Sequence, residues 1–282
     1  MLEGKTIVVT GAGSGIGRKT VELAFNYGAN VVAVDLNDSV LDTVAQLSDN
    51  KNRSKAVVAD ISNEEEVAAF INDCIKSFGR VDGIYANAGV PGAGKPMLEL
   101  TVDDWNRTLS INTIGVFLAV KHSAPHFIAQ GQGSIVCTAS VAGIRANAGG
   151  VDYSASKAGV ISIVQTTAYQ LYGTGVRINA ICPGLIETGM TKPVFDSARE
   201  RGREDRIGQI NPSKRYGNPE EIGEAACFLL SDKASISTAR PCQLMVAYPH
   251  LTRGLSREEN RLLKQFCRHL HRNIACRAYV LS

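Results

Sequence analysis

The sequence predicts an α/β protein built on a single doubly wound parallel sheet with helices on both faces. Three observations predict it. Short β-branched apolar runs alternate with longer stretches of helical periodicity. The runs are apolar throughout, as strands covered on both faces must be. The first run passes directly into a glycine-rich turn that opens a helix. Right-handed crossovers between such strands give the doubly wound arrangement.

The elements follow in order. Lys5–Thr10 (KTIVVT) reads as a strand and Gly15–Tyr27 as a helix. Asn30–Asp35 (NVVAVD) is the second strand, followed by a helix near Ser39–Leu47. Lys55–Asp60 (KAVVAD) is the third, and a helix over Asn63–Phe78 is expected to start on a capping box of Ser62 and Glu65. Asp82–Asn87 is the fourth strand, and Val102–Ala129 a long helix expected to bend near Pro125. Gly133–Ser140, a helix over Asp152–Tyr172, and Val176–Ile181 complete the pattern. Residues 187–217 break the rhythm with Pro193, Pro212 and the charged run Ala198–Arg206 (ARERGREDR). This segment follows the C-terminal end of a strand, the edge where ligands bind in open sheets, so a lid or binding loop is expected.

Three groups of residues carry chemistry. In TGAGSGIG, Thr10–Gly17, the glycines Gly11, Gly15 and Gly17 permit a tight turn and close approach of backbone to a pyrophosphate. The helix that follows offers free N–H groups and a positive dipole end. Asp35 closes the second strand, where a carboxylate can accept hydrogen bonds from both adenosine ribose hydroxyls and repel a 2′-phosphate. Ser14 occupies the middle of the turn, and the first basic residue, Arg18, is already on the helix. NAD is therefore expected over NADP. Tyr153 and Lys157 in YSASK share one helix face, and an ammonium near a phenol favours the phenolate, giving an acid/base near neutral pH. Ser140, 13 residues earlier at the end of a strand, can hydrogen-bond a substrate oxygen.

With these motifs in this order, the chain resembles the short-chain dehydrogenase/reductase family over roughly residues 3–235. The resemblance implies a Rossmann-type domain over residues 1–236, with residues 187–217 as its substrate loop. It implies a cofactor site of Gly11, Ser14, Gly15, Ile16, Gly17, Asp35, the pair Asp60-Ile61, the motif Asn87-Ala88-Gly89, Tyr153, Lys157, and the segment Pro183, Gly184, Ile186 and Thr188. It implies Tyr153 as general acid/base, Lys157 as the residue that lowers its pKa and holds the nicotinamide ribose, Ser140 as the orienter of substrate oxygen, and Asn112 as the holder of a water between Lys157 and solvent. The implied reaction moves a hydride between NAD(H) and a secondary alcohol or ketone. A 3-oxoacyl-carrier reductase and a non-catalytic dinucleotide-binding scaffold are the alternatives. The substrate pocket is expected from Val90–Ala93, Val141–Val151 and residues 187–217, with Ile144, Ala146, Ala148 and Val151 as its apolar wall and Arg145 and Asn147 as polar contacts.

Composition narrows the remaining classes. The chain has 282 residues, 20% of them charged, and a net charge of +3. From residue 237 onward there are 8 Lys/Arg against 2 Asp/Glu, so the basic excess belongs to the tail and the body gives no nucleic-acid signal. No apolar run reaches the 18 or more residues of a membrane span. The start, MLEGKTIVV, has no cleavable export pattern, and Cys74, Cys137, Cys182 and Cys227 read as buried thiols, so a cytoplasmic protein is expected. No metal site is expected; His122 and His126 lie one turn apart without further ligands at metal spacing.

The tail departs from the family pattern, which continues into a last strand ending near Val-Asp-Gly-Gly; here the chain reads SISTARPCQLMVAYPHL. A one-base slip near Ser235 would account for this, since permitted codons for Ser235–His250 can spell the family ending in another frame; a genuine divergent terminus is the alternative. Residues 237–282 are therefore set apart as an atypical basic tail, with Gln243–Ala247 apolar enough to serve as a substitute edge strand. The resemblance implies a homodimer or homotetramer where the last strand is intact.

Overall fold

A computed structural model describes residues 1–47, 51–209, 211, 213–239 and 241–244. Among these, β1 (Thr6–Thr10), β2 (Asn30–Asp35), β3 (Ser54–Val58), β4 (Gly83–Ala86), β5 (Gly133–Thr138), β6 (Val176–Pro183) and β7 (Pro241–Leu244) form one parallel sheet. Its order is β3-β2-β1-β4-β5-β6-β7. The chain reverses its winding between β1 and β4, which opens a crevice at the C-terminal ends of those strands.

The period of two along each strand sorts the core into two layers. Val8, Val32, Ile84, Ile135 and Ile178 face one side, against α3 (Glu64–Phe78), α5 (Gly115–Gln130) and α6 (Val151–Gln170). Their neighbours Ile7, Val9, Val31, Tyr85 and Ile181 face the other, against α1 (Gly15–Asn26), α2 (Ser39–Ala45) and α8 (Pro219–Leu230). Both faces are covered, which is why the strands carry no alternation in sequence.

Four local expectations change. The start of α3 is capped by Asn63, not Ser62: the Asn63 side-chain oxygen accepts from the N–H groups of Glu65 and Glu66, and its amide donates to Glu66 Oε1 at 2.9 Å. The Ser62 hydroxyl is already used, donating to Asp60 Oδ1 at 2.7 Å. The long helix over Val102–Ala129 is interrupted at residues other than Pro125. α4 (Val102–Leu109) passes through a π-helical turn at Ser110–Ile114 into α5, which continues through Pro125. The irregular segment 187–217 contains a helix, α7 (Lys192–Glu200), opened by Pro193 in its first turn, where a missing N–H costs nothing. The edge strand expected at Gln243–Ala247 lies at Pro241–Leu244, paired with Ala180–Pro183; residues 245–247 are outside the described residues. The sheet therefore takes in residues beyond position 236.

Asn63→Ala should cost about 1 kcal/mol of stability, read by chemical denaturation. Ser62→Ala should cost less, and a larger loss at Ser62 would contradict the assigned cap.

Candidate active site

The crevice at the switch point is a cavity of about 370 Å³. Its lining includes Gly11, Ser14, Gly15 and Ile16 from the first turn, Asp35 from β2, Asp60 and Ile61, and Asn87, Ala88 and Gly89. Ser140, Tyr153, Lys157, Pro183, Gly184, Ile186 and Thr188 complete the expected set. Of the residues predicted from sequence, Gly17 and Asn112 stand behind this lining. A Cβ on Gly17 would lie 2.0 Å from the Gly11 carbonyl oxygen, so Gly17 serves the packing of the turn itself.

The nucleotide half is built from backbone held by side chains. Gly11 has φ +67°, and a Cβ there would sit 2.7 Å from Ala88 Cα, so only glycine lets the turn meet the end of β4. Thr10 Oγ1 accepts from the N–H groups of Asn87 and Ala88 at 3.0 and 3.1 Å, fastening the same junction. Asp35 accepts from Gly13 N at 2.8 Å through Oδ2 and from Asn37 N at 3.1 Å through Oδ1. Arg18 turns away from this carboxylate: it bonds the Gly13 carbonyl, and its Nε donates to Thr43 Oγ1 at 3.0 Å. The N-terminus of α1 has neither a side-chain cap nor an acid in its first turn, whereas α3 and α4 have both. These N–H groups line the cavity and suit an anionic pyrophosphate, so the residues present fit a dinucleotide.

The reactive half converges on Tyr153. Ser140 lies just past β5, as the cap of a 3-10 turn over Val141–Gly143, and its Oγ accepts from Ala142 N at 3.1 Å. The Ser140 side chain lies beside the Tyr153 phenol and favours its ionised form. Gly143 makes this approach possible, because a Cβ there would meet the backbone of Lys157 and Ala158 at 2.7 Å. Lys157 is buried, with Nζ donating to the Thr138 carbonyl at 2.8 Å and lying 5.8 Å from the Tyr153 ring centroid. Burial lowers the ammonium to about 8. Burial also raises the phenol above its ordinary value, and Ser140 works against that rise. The phenol is thus not depressed as the helix spacing alone suggests, because desolvation outweighs the effect of Ser140.

Asn112 is fully buried and faces the loop after β4. Its Oδ1 accepts from Val90 N at 2.8 Å, and its Nδ2 donates to Val90 O at 3.0 Å and Ser156 Oγ at 3.1 Å. The π-helical turn carries this residue inward, a common use of such turns. Asp152 was missed in the sequence although it directly precedes Tyr153. Its Oδ2 accepts from Ala93 N at 2.8 Å and Thr108 Oγ1 at 3.0 Å. Burial pushes this carboxyl up, but hydrogen bonds from Ala93, the Tyr153 N–H and Thr108 outweigh it and hold it below the ordinary carboxylate value. Thr191 was missed as well; it ties the Ile186–Thr188 segment by accepting from Thr188 N at 3.0 Å.

A second cavity of about 710 Å³ adjoins the first and shares Ser140, Tyr153, Gly184, Met190 and Thr191 with it. Segment 187–217 forms one side. Of the apolar wall expected from sequence only Ala148 lines it, together with Arg145 and Asn147; Ile144, Ala146 and Val151 do not. Ile144, just past the turn at Val141–Gly143, and Val151, at the start of α6, are exposed. Among the described residues no His/Cys/Asp/Glu cluster could hold a metal ion. His122 instead meets Glu64 at 2.9 Å.

Fold and site together define a dinucleotide-binding oxidoreductase with a second cavity adjoining the first. A family model described as enoyl-(acyl carrier protein) reductase matches residues 11–243. The chain is 39% identical over 238 residues to 2,5-dichloro-2,5-cyclohexadiene-1,4-diol dehydrogenase of Sphingobium indicum, covering 84% of this chain and 94% of that one. It is 35% identical over 240 residues to 3-oxoacyl-[acyl-carrier-protein] reductase of Thermotoga maritima, covering 85% and 95%. The crystal structure of levodione reductase superposes with a TM-score of 0.82 at 34% identity, over 87% of this chain and 97% of that one. The chain belongs to the short-chain dehydrogenase/reductase family. It is an NAD(P)-dependent oxidoreductase acting on CH–OH groups and interconverting secondary alcohols and ketones.

The dry lysine predicts a pH dependence. Below about pH 8 the folded protein holds a charged Lys157 that the unfolded chain, with its ordinary value of 10.5, carries without penalty. Stability therefore rises as pH climbs from 8 toward 10.5. Lys157→Met should make the cofactor-free protein more stable than wild type near neutral pH, by up to about 3 kcal/mol. Denaturation across this range should show the difference closing; a constant difference would contradict the assignment.

Proposed function

We propose that the enzyme uses NAD rather than NADP, with Tyr153 as its acid/base. When bound, NAD accepts a hydride from the alcohol carbon, and its reduced form returns one to a ketone. The reading is carried by one observation: Tyr153 stands with Ser140 on the wall common to both cavities. In the oxidative direction the Tyr153 oxygen takes the proton of the substrate hydroxyl. Ser140 keeps that hydroxyl in place, its own oxygen fixed by the Ala142 N–H. Burial moves the phenol up and the ammonium down, so the two proton affinities move apart and the lysine becomes the weaker holder of its proton. While Lys157 is charged, it stabilises the phenolate in a site where water does not screen it. Asn112 acts as a positioning residue that fixes Val90 and the back of α6.

The preference for NAD is supported by Asp35 at the cavity wall and by Arg18 being committed to the glycine turn. Lys157 is the one basic residue among the described residues lining the nucleotide cavity, so no lining cation beside Asp35 offers a 2′-phosphate a partner. We also propose a homo-oligomer; exposed Phe117 and Ile128 on α5 and Tyr169 on α6 supply apolar surface for it. Four buried free thiols, Cys74, Cys137, Cys182 and Cys227, fit a reducing cytoplasm. For residues 237–282 we keep the proposal of an out-of-frame reading, which resequencing of the gene decides.

Tyr153→Phe should lower turnover at least a thousandfold while NADH affinity, measured by fluorescence titration, changes less than threefold. Retained turnover would remove Tyr153 from its role. Asp35→Ser should reduce the ratio of kcat/KM for NAD over NADP at least tenfold, and an unchanged ratio would refute the basis of the preference.

A further inference from the structure

The charged run Ala198–Arg206 reads as a solvated mixture in sequence, but the fold separates its signs. α7 presents Val194, Ser197 and Ala198 to the 710 Å³ cavity, and Arg201, capping the helix, continues the same face at i, i+3, i+4 and i+7. Arg203 and Arg206 follow from the next turn, and Arg145 enters from the opposite wall. Arg199, on another face, is withdrawn by Glu187 at 2.6 Å and Glu204 at 2.9 Å. Lys192 is likewise paired with Asp196. Among the described residues, four arginines line this cavity and no Asp or Glu does. The side chains of Arg201, Arg203 and Arg206 enter no ion pair among the described residues.

We infer that the substrate is a secondary alcohol or ketone that carries an oxyanion, a carboxylate or a phosphate, seated against Arg145, Arg201, Arg203 and Arg206 while its reacting carbon lies at Tyr153. This rests on the reading of Tyr153 as acid/base. Guanidinium groups stay charged at any working pH and offer forked donors that match both oxyanions. A concave wall of one sign concentrates such a ligand before any specific contact forms. A neutral substrate would leave Arg201, Arg203 and Arg206 on a cavity wall whose described lining holds no carboxylate.

The test uses the full chain saturated with NADH. Hexanoate, hexanamide and hexyl phosphate are titrated by calorimetry. Hexanoate or hexyl phosphate should bind at least tenfold more tightly than hexanamide, and the tighter of the two names the oxyanion. The double variant Arg201→Gln/Arg206→Gln should weaken the anion at least fivefold and leave hexanamide unchanged, whereas Lys192→Gln, which removes a positive charge from α7 outside the cavity, should change neither. Equal affinity of the anions and hexanamide, or an equal loss with Lys192→Gln, overturns the inference. Turnover separates the two readings: 5-hydroxyhexanoate should exceed its methyl ester in kcat/KM at least tenfold through KM. Equal values overturn the oxyanion while leaving the dehydrogenase intact. Anion binding in wild type with no turnover of any secondary alcohol overturns the acid/base reading instead.

Discussion

The buried ammonium of Lys157 donates to the carbonyl of Thr138 at the last residue of β5, and the geometry of the cleft depends on that bond. A charge withdrawn from water needs a fixed acceptor, and the end of a parallel strand offers one whose position is set by the strands on either side. β5 is held between β4 and β6 along its length, so the acceptor cannot drift. The same arrangement fixes α6, because Lys157 sits on it, and thereby fixes Tyr153 one turn earlier. Gly143 then brings the Ser140 turn down onto the α6 backbone. The sheet edge, not the helix alone, sets the distances at the reacting centre.

Around this anchor the polar groups lock separate elements into one body. Asp152 joins the loop at Ala93 to α4 through Thr108, and Asn112 joins Val90 to Ser156 on α6. Buried polar networks of this kind are stabilising only when each member is satisfied, and these carboxylate and amide groups are. The two cavities are consequently framed by stiff walls on the side of α4 and α6. The other side of the larger chamber is α7 and its flanking turns, a segment whose two ends are joined by the Ile186–Gly217 bridge.

Much of this was legible in the chain, for a physical reason. β1, β2 and the glycine turn announce themselves because their cause is local: apolar runs for a two-sided sheet, and missing Cβ atoms where backbones meet. Tyr153 and Lys157 are legible because one helical turn separates them. What escaped depends on partners distant in sequence. The α3 cap shifts to Asn63 because Asp60 has already taken the Ser62 hydroxyl. The π-helical turn at Ser110–Ile114 has no sequence period of its own and coincides with Asn112's bonds to residues 22 positions away and beyond. The pKa of Tyr153 departs from the simple ammonium argument because spacing along a helix carries no information about burial. The sorting of arginines in the 198–206 run was hidden for the same reason, since Glu187 decides which of them turns outward.

The bond between Asp35 and the Gly13 N–H bears on how cofactor choice can evolve. That carboxylate is both the acceptor facing the ribose site and a support of the turn that would carry the pyrophosphate. A Cβ on Gly13 would lie 2.9 Å from Asp35 Oδ2 and closer still to Ser39 Oγ, so the turn has no room to compensate on its own. Replacing Asp35 by a residue without an acceptor leaves the Gly13 N–H without this partner, at a cost of about 1–3 kcal/mol. Descendants of this sequence that come to accept a phosphorylated nucleotide would be expected to carry changes at Gly13 or Ser39 alongside the one at Asp35, arriving as a linked group rather than singly.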